Sequence, residues 1–472
     1  MAVQAKIAIV FLVSLFIFNQ VSSINPVARF VQSAAMCESF PSLDYSINGL
    51  EGETIDWARN TQGNYYSNKA PGPAFISLPI FCPLLAVLKN VHKIPQGFAQ
   101  SCPPLEQSLF ALKKSYYLFD ILLSVIFQGL AFVFLAKLFL RSQIFRSSNS
   151  QHNFLGLFAM YFGTGATVFA NVWFGHSLAA AFTAISVLLL FEKSFFLAAF
   201  FIGFAALSDY AVIFMFPGLA LLLFAAPFTK KGILQFCCGI FLPVFLWMHY
   251  HTQSFGGPFE LPQKYNNPQF LDVAPDTSQL WQVIRIFPRL DILWKLLFGP
   301  ERGLLVTQPW ILFLVFALPF TIFYSFQKTS KTNANKRTQI VRISFFISFL
   351  GLLWMNASFG GWHGGASSGP RYLIPGLLLF PLLLPKFLEQ FSSQHHRVNK
   401  ILSTVLIATL GLTFFINAFI KATFLLAPSQ PLWPFLMKYA SEHQGTFYVR
   451  MSLCILMALY FWRLAKKTSR LA

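Results

Sequence analysis

The stretch Asp56-Trp-Ala-Arg-Asn-Thr-Gln-Gly-Asn-Tyr-Tyr-Ser-Asn-Lys-Ala-Pro-Gly-Pro73 is polar, aromatic and charged, and it lies between apolar segments. Holding Asp56, Arg59 and Lys69 at the mouth of a hydrocarbon-compatible chain is costly unless these charges meet a ligand or one another. The contrast decides the fold class: a membrane-embedded helical scaffold that presents a polar loop. That loop is the expected active-site loop.

Composition supports this reading. The chain has 472 residues, of which 56% are hydrophobic and 11% charged, with a mean hydropathy of +0.58. Soluble globular domains carry about 25% charged residues. An all-α polytopic membrane protein is expected, one integral membrane domain over 1–472. The net charge of +19 does not point to nucleic acid, because Lys and Arg fall in short clusters between apolar runs. That pattern marks cytoplasmic loops and contact with anionic membrane lipids.

A span needs about 20 apolar residues. Candidates are 7–21, 116–137, 154–172, 176–191, 194–208, 211–228, 232–249, 303–326, 343–359, 371–387, 401–420 and 447–463. Residues 74–89 are apolar but short and contain Pro79 and Pro83, so they cross fully or re-enter, giving 12–13 crossings. Basic connections at 137–146, 230–231, 328–342, 386–400 and 463–470 are read as cytoplasmic. The first loop, about 24–73, then shares the outer face with the second large loop, about 250–302, and with 360–370. Within the first loop, Val27, Phe30, Val31, Ala34 and Ala35 recur at helical spacing, with Arg29, Gln32 and Ser33 off the stripe. This predicts a juxtamembrane helix lying on the outer surface.

Six cysteines occur without metal-ligand spacing. Cys37 and Cys102 lie where an oxidising compartment is expected, their pairing left open. Neither a metal site nor a cofactor follows from the sequence.

Four motifs recur in order along the chain: Asp56 to Gly72, Ser254-Phe-Gly-Gly-Pro258, Gly299-Pro-Glu-Arg-Gly-Leu-Leu305 and Trp362-His-Gly-Gly-Ala-Ser-Ser-Gly-Pro-Arg-Tyr372. Together they resemble a bacterial branch of the GT-C glycosyltransferases, a group that includes protein O-mannosyltransferases and lipid A aminoarabinose transferases. The resemblance implies a GT-C-like bundle in the bacterial inner (plasma) membrane, with its site facing the periplasm or exterior. It also implies an enzyme, an inverting glycosyltransferase moving a sugar from a polyprenyl-phosphate donor to a glycan, lipid or protein acceptor. Relatives often carry acidic residues directly after the first helix, where this chain reads Ser23-Ile-Asn-Pro-Val-Ala-Arg29. The acidic candidates in the loop are Glu38, Asp44, Glu51, Glu53 and Asp56.

Such a transfer needs a carboxylate to take the acceptor proton and cations to hold the phosphate as charge builds on it. Asp56 and Asp44 suit the first role, and Lys69 and Arg371 the second. Arg59, Tyr65, Tyr66, Trp362 and His363 are candidate substrate contacts through charge, stacking or hydrogen bonding. Competing readings are a loop ion pair for Arg59, an aromatic belt for the tyrosines and a helix-end lipid contact for Arg371. Asp209 and His176, each at a break between apolar runs, read most simply as residues at capped helix ends. The rival function is a transporter or lipid-linked sugar flippase. It fits less well, because the polar residues concentrate in outer loops and not at the middle of broken helices.

Overall fold

The computed structural model describes residues 24–39, 44–92, 119–170, 172–268, 279–280, 284–311, 313, 333–364, 367, 369–392, 396–423, 431–442 and 444–469. The expected span 7–21, the greater part of 303–326, and Cys102 lie outside them. The chain is a polytopic bundle of helices. It begins with α1 (Ile24–Ser39), the hairpin β1 (Trp57–Arg59) and β2 (Tyr65–Ser67), and α2 (Gly72–His92). Then come α3 (Phe119–Arg141), α4 (Ser150–Phe158), α5 (Gly175–Phe191), α6 (Phe195–Ser208), α7 (Phe216–Ala225) and α8 (Lys230–Phe255). A two-residue ladder pairs β3 (Gln279–Leu280) with β4 (Ile284–Arg285) before α9 (Leu290–Phe298). The last helices are α10 (Asn333–Ser358), α11 (Phe380–Ser392), α12 (His396–Thr423), α13 (Leu432–Glu442) and α14 (Gln444–Ser469).

Among the described residues four helices are long and apolar enough to cross a membrane, within α3, α8, α10 and α12. The pair Arg371–Leu377 and Phe380–Gln390, bent by 41°, makes a fifth. Shorter apolar helices occupy Gly72–Val87, Gly175–Phe191, Phe195–Ser208 and Tyr210–Ala225. Residues 74–89 thus belong to one continuous helix despite Pro79 and Pro83. The expected span 154–172 is broken: α4 passes into a wide turn at Ala159–Gly163, and Gly165 takes a left-handed φ of 68° before a single turn at Ala166–Phe169.

α5 is the centre. It is apolar on every side, and every residue from Gly175 to Phe191 is buried, as expected of a helix surrounded by others. α3 and α6 pack on it, α6 packs on α8, and α7 packs on α10. Small polar residues close the last contact: Ser344 Oγ donates to Gly218 O at 2.6 Å and Ser348 Oγ to Met215 O at 3.2 Å. Close helix approach through small residues is how membrane bundles pack where lipid is as apolar as leucine.

Two expectations are corrected here. α1 forms where the periodicity places it, with Phe30 and Val31 in the core, yet Arg29, Gln32 and Ser33 are buried too. It does not float on a surface with a polar face to water. Gln32 Nε2 donates to Tyr250 Oη in α8, and Ser33 Oγ bonds Ser77 Oγ in α2. The second correction is the cysteine pairing, since Cys37 is bonded to Cys82 in α2. That disulfide ties α1 and α2, the helices that flank the polar loop.

Of the three loops expected to share one face, the second meets the first and the end of α10, next to 360–370. Asn267 N donates to Trp57 O, Asn60 Nδ2 to Ser254 O, and Arg289 N to Ala357 O. Isolated bridges join Ala58 to Asn266 and Ile284 to Phe359.

Candidate active site

Several chain segments converge at the end of α6. A Cβ on Gly72 would stand 2.7 Å from Leu207 O, and one on Gly175 would stand 2.2 Å from Ser208 O and 2.9 Å from Arg29 Nη2. Only glycine permits backbones this close. α2 therefore starts against α6 directly after Lys69-Ala-Pro, and α5 starts there with His176 in its first turn. Asp209, which follows α6, lies at the meeting point.

The hairpin sets Lys69 and Asp56. Asn60 Oδ1 closes its turn by accepting from Gln62 N and Asn64 N, and Asn68 N returns to Asp56 O at 3.2 Å. Across this closed loop Lys69 Nζ pairs with Asp56 Oδ1 at 3.0 Å, with side chains 17% and 13% exposed. Burial pushes the Lys69 ammonium down to about 8; Asp56 works against that, and the nearby Arg371 adds to it.

Arg371 opens a short turn before the bent span. Its guanidinium stacks on Phe174, 5.6 Å from the ring centroid, and on Tyr372, 5.4 Å away. The Nε is buried without a partner, and the group makes no hydrogen bond or ion pair among the described residues. The aromatic rings hold a planar cation whose donors are unused.

His176 and Asp209 form a second buried pair. His176 Nδ1 lies 2.6 Å from Asp209 Oδ2, while Asp209 Oδ1 accepts from Ala211 N at 3.1 Å. Asp209 is thus the capping residue the sequence suggests and also an ionic partner, which the sequence did not indicate. Arg29, 3% exposed, lies within electrostatic reach of Asp209, Asp56 and Arg371.

These groups border a cavity of about 570 Å³ lined by Arg29, Lys69, His176, Asp209 and Arg371 at its polar end. Asn68, Tyr210, Gln263 and Asn266 line it as well. Its remaining wall is apolar, drawn from α6, α7 and α8 and the turn at 210–215, with Phe214, Ile240, Val244 and Met248. Three cations face two carboxylates, a surplus of one positive charge with His176 neutral. A site with that balance complements a singly charged anion bearing a long apolar tail.

The other candidate residues stand outside this lining. Asp56 sits behind Lys69. Asp44 is exposed, its carboxylate accepting from Ser46 N and Ser46 Oγ. Arg59 bonds Gly63 O and covers the Tyr65 ring, which packs edge-on against Trp57. Tyr66 is buried against Phe255. Trp362 carries Lys295 and Arg302 near its ring, and Arg302 donates to the carbonyl of exposed His363. The sequence places Arg29 only on the polar side of α1, with Gln32 and Ser33, and carries no signal that it belongs to the site.

No protein-family model matches the chain, and no curated protein matches it. Among solved structures, the crystal structure of ArnT from Cupriavidus metallidurans bound to undecaprenyl phosphate is similar to it, with a TM-score of 0.46 and 11% identity. The similarity covers 98% of this chain and 76% of that one.

Proposed function

We propose that this chain is a membrane glycosyltransferase that takes a sugar from a polyprenyl-phosphate donor and gives it to a hydroxyl of a glycan, lipid or protein at the extracytoplasmic face. The observation that carries the reading is Arg371. A guanidinium held by two aromatic rings, its donors without a partner among the described residues, calls for an anion that can accept parallel hydrogen bonds. Arg29 and Lys69 stand beside it, and the apolar wall of α6 to α8 suits a polyprenyl chain. The donor phosphodiester carries one negative charge, equal to the surplus in the site. As the bond from the sugar's anomeric carbon to the phosphate oxygen breaks, its electron pair goes to the phosphate. The three cations then meet a charge growing towards two, stabilisation that strengthens along the reaction. Asp56 keeps Lys69 in place.

Purified protein in lipid nanodiscs, given undecaprenyl-phosphate glucose, mannose or N-acetylglucosamine, tests the reading through release of undecaprenyl phosphate. Binding of undecaprenyl phosphate that Arg371→Ala abolishes, with release from at least one donor, is the expected outcome. Transbilayer movement of the intact donor without bond cleavage would replace the enzyme with a flippase, and no binding at all would remove both.

A further inference from the structure

A transfer to a hydroxyl needs a group to take the acceptor's proton, and the cavity lining narrows the choice. Lys69, Arg29 and Arg371 are cations, and Asp56 lies outside the lining, paired with Lys69. Asp209 has both oxygens engaged, one by Ala211 N and the other by His176 Nδ1. His176 Nε2 is what remains: it has no partner among the described residues, and His176 lines the cavity.

The pairing also prepares that nitrogen. An Nδ1–H donated to an ionised Asp209 fixes the tautomer with the lone pair on Nε2, and the carboxylate steadies the imidazolium that forms when the proton arrives. Gly175 supports this arrangement, because any side chain there would push α5 away from Ser208 O and part His176 from Asp209. Tyr372 stands edge-on to the imidazole, with ring centroids 5.1 Å apart, and limits its rotation.

We infer that His176 is the proton acceptor for the attacking hydroxyl and that Asp209 is its positioning residue. The inference rests on the glycosyl-transfer reading and adds to it a group that reading leaves unassigned. In the step, the acceptor O–H proton passes to His176 Nε2 as the acceptor oxygen bonds the anomeric carbon. The bond from that carbon to the phosphate oxygen breaks, and its electrons leave with the polyprenyl phosphate. The imidazolium then returns its proton to the departing phosphate, and the site is restored.

The test compares wild type with His176→Gln and Asp209→Asn. Two readouts are taken in parallel: undecaprenyl phosphate binding, and the pH dependence of kcat for its release from the donor the wild type uses. Asp209 after α6, Arg29 in α1 and Arg371 act on His176 electrostatically, Tyr372 packs on its ring, and Lys69 and Tyr210 line the same cavity. None of these is altered in His176→Gln, so the limb belonging to the imidazole is the one that should disappear. Expected are near-normal binding, a kcat lowered roughly 10²-fold or more, and loss of the acid limb seen in wild type. Asp209→Asn, which keeps the imidazole but replaces its ionised acceptor with a neutral amide, should lower kcat similarly and serves if His176→Gln does not fold. A His176→Gln enzyme within about threefold of wild type, or one that keeps the acid limb, overturns the inference; so does loss of binding equal to the loss of turnover. A wild type that neither binds nor turns over sinks the transferase reading itself, a distinct result.

Discussion

The titration of Lys69 gives the most direct check on the proposed anion site. Its ammonium is pushed from the ordinary 10.5 down to about 8, a penalty of about 3 kcal/mol on the charged form at 1.36 kcal/mol per unit. The side chain is only 17% exposed, so solvent screening does not erase that figure. Below pH 8 the ammonium is present and available to a phosphate. As pH rises through 8 it is lost, while a phosphodiester keeps its single charge. If only the protonated form binds the donor, affinity should fall roughly 25-fold between pH 7.5 and 9.5, from the change in the protonated fraction alone. Stability moves the other way. The unfolded chain keeps its lysine protonated up to about 10.5, so between 8 and 10.5 it binds more protons than the folded one, and this group's contribution to stability rises with pH. Equilibrium binding of an undecaprenyl-phosphate sugar in nanodiscs at pH 7.5, 8.5 and 9.5 measures the first effect. The difference in denaturation temperature between wild type and Lys69→Met measures the second. Lys69→Arg, charged throughout, should bind with a flat pH dependence whatever its absolute affinity. The reasoning fails if wild-type affinity is flat over this range, or if Lys69→Arg falls just as steeply.

Arg371→Lys removes the stacked, planar fork and should weaken donor binding about tenfold; combined with Lys69→Met, the loss in binding free energy should be non-additive because both cations serve one phosphate. Gly175→Ala places a Cβ 2.2 Å from Ser208 O, overpacking that costs about 1–3 kcal/mol, readable as a lower denaturation temperature. Reducing the Cys37–Cys82 bond, whose ends are 45 residues apart, should cost up to about 4 kcal/mol on the loop-entropy account, measured by thermal unfolding with and without reductant. Single cysteines at Asn64 and His363 should be modified by an impermeant reagent from the same side of the membrane; reaction from opposite sides would separate the loops that the hairpin and the 360–372 segment bring together.

How far the sequence carries differs between scaffold and site, for physical reasons. Hydropathy is a local property, so windows of about 20 residues anticipate the long apolar helices within α3, α8, α10 and α12, but not the break inside 154–172 or the short helices α9 and α13. The basic connections give the expectation that the first loop, 250–302 and 360–370 share one face, and the second of these contacts the first and the end of α10. Periodicity, however, reports only that one face of a helix is apolar. It cannot tell whether the opposite face meets water or another protein segment, which is why α1 was read as lying on the surface when Arg29, Gln32 and Ser33 are buried. Lys69 and Arg371 stand out in the sequence because proline and glycine beside them announce fixed backbone, and both line the cavity. His176 and Asp209 were not legible as a pair, since 33 residues separate them and a capping role already accounted for Asp209.

That last case shows why charge in a membrane chain is best read as a network and not residue by residue. Taken singly, Asp209 is a helix cap, Arg29 is one residue on the polar side of α1, and Asp56 is a loop carboxylate. Brought together at the end of α6, two carboxylates neutralise two of the three cations and leave one charge unmatched. Burying an unmatched charge is disfavoured unless a ligand completes it. Arg371, which has no ion-pair partner among the described residues, is therefore the member of the set whose presence the fold alone does not explain. Filling that gap with the proposed phosphate is what would link the scaffold's composition to the proposed chemistry.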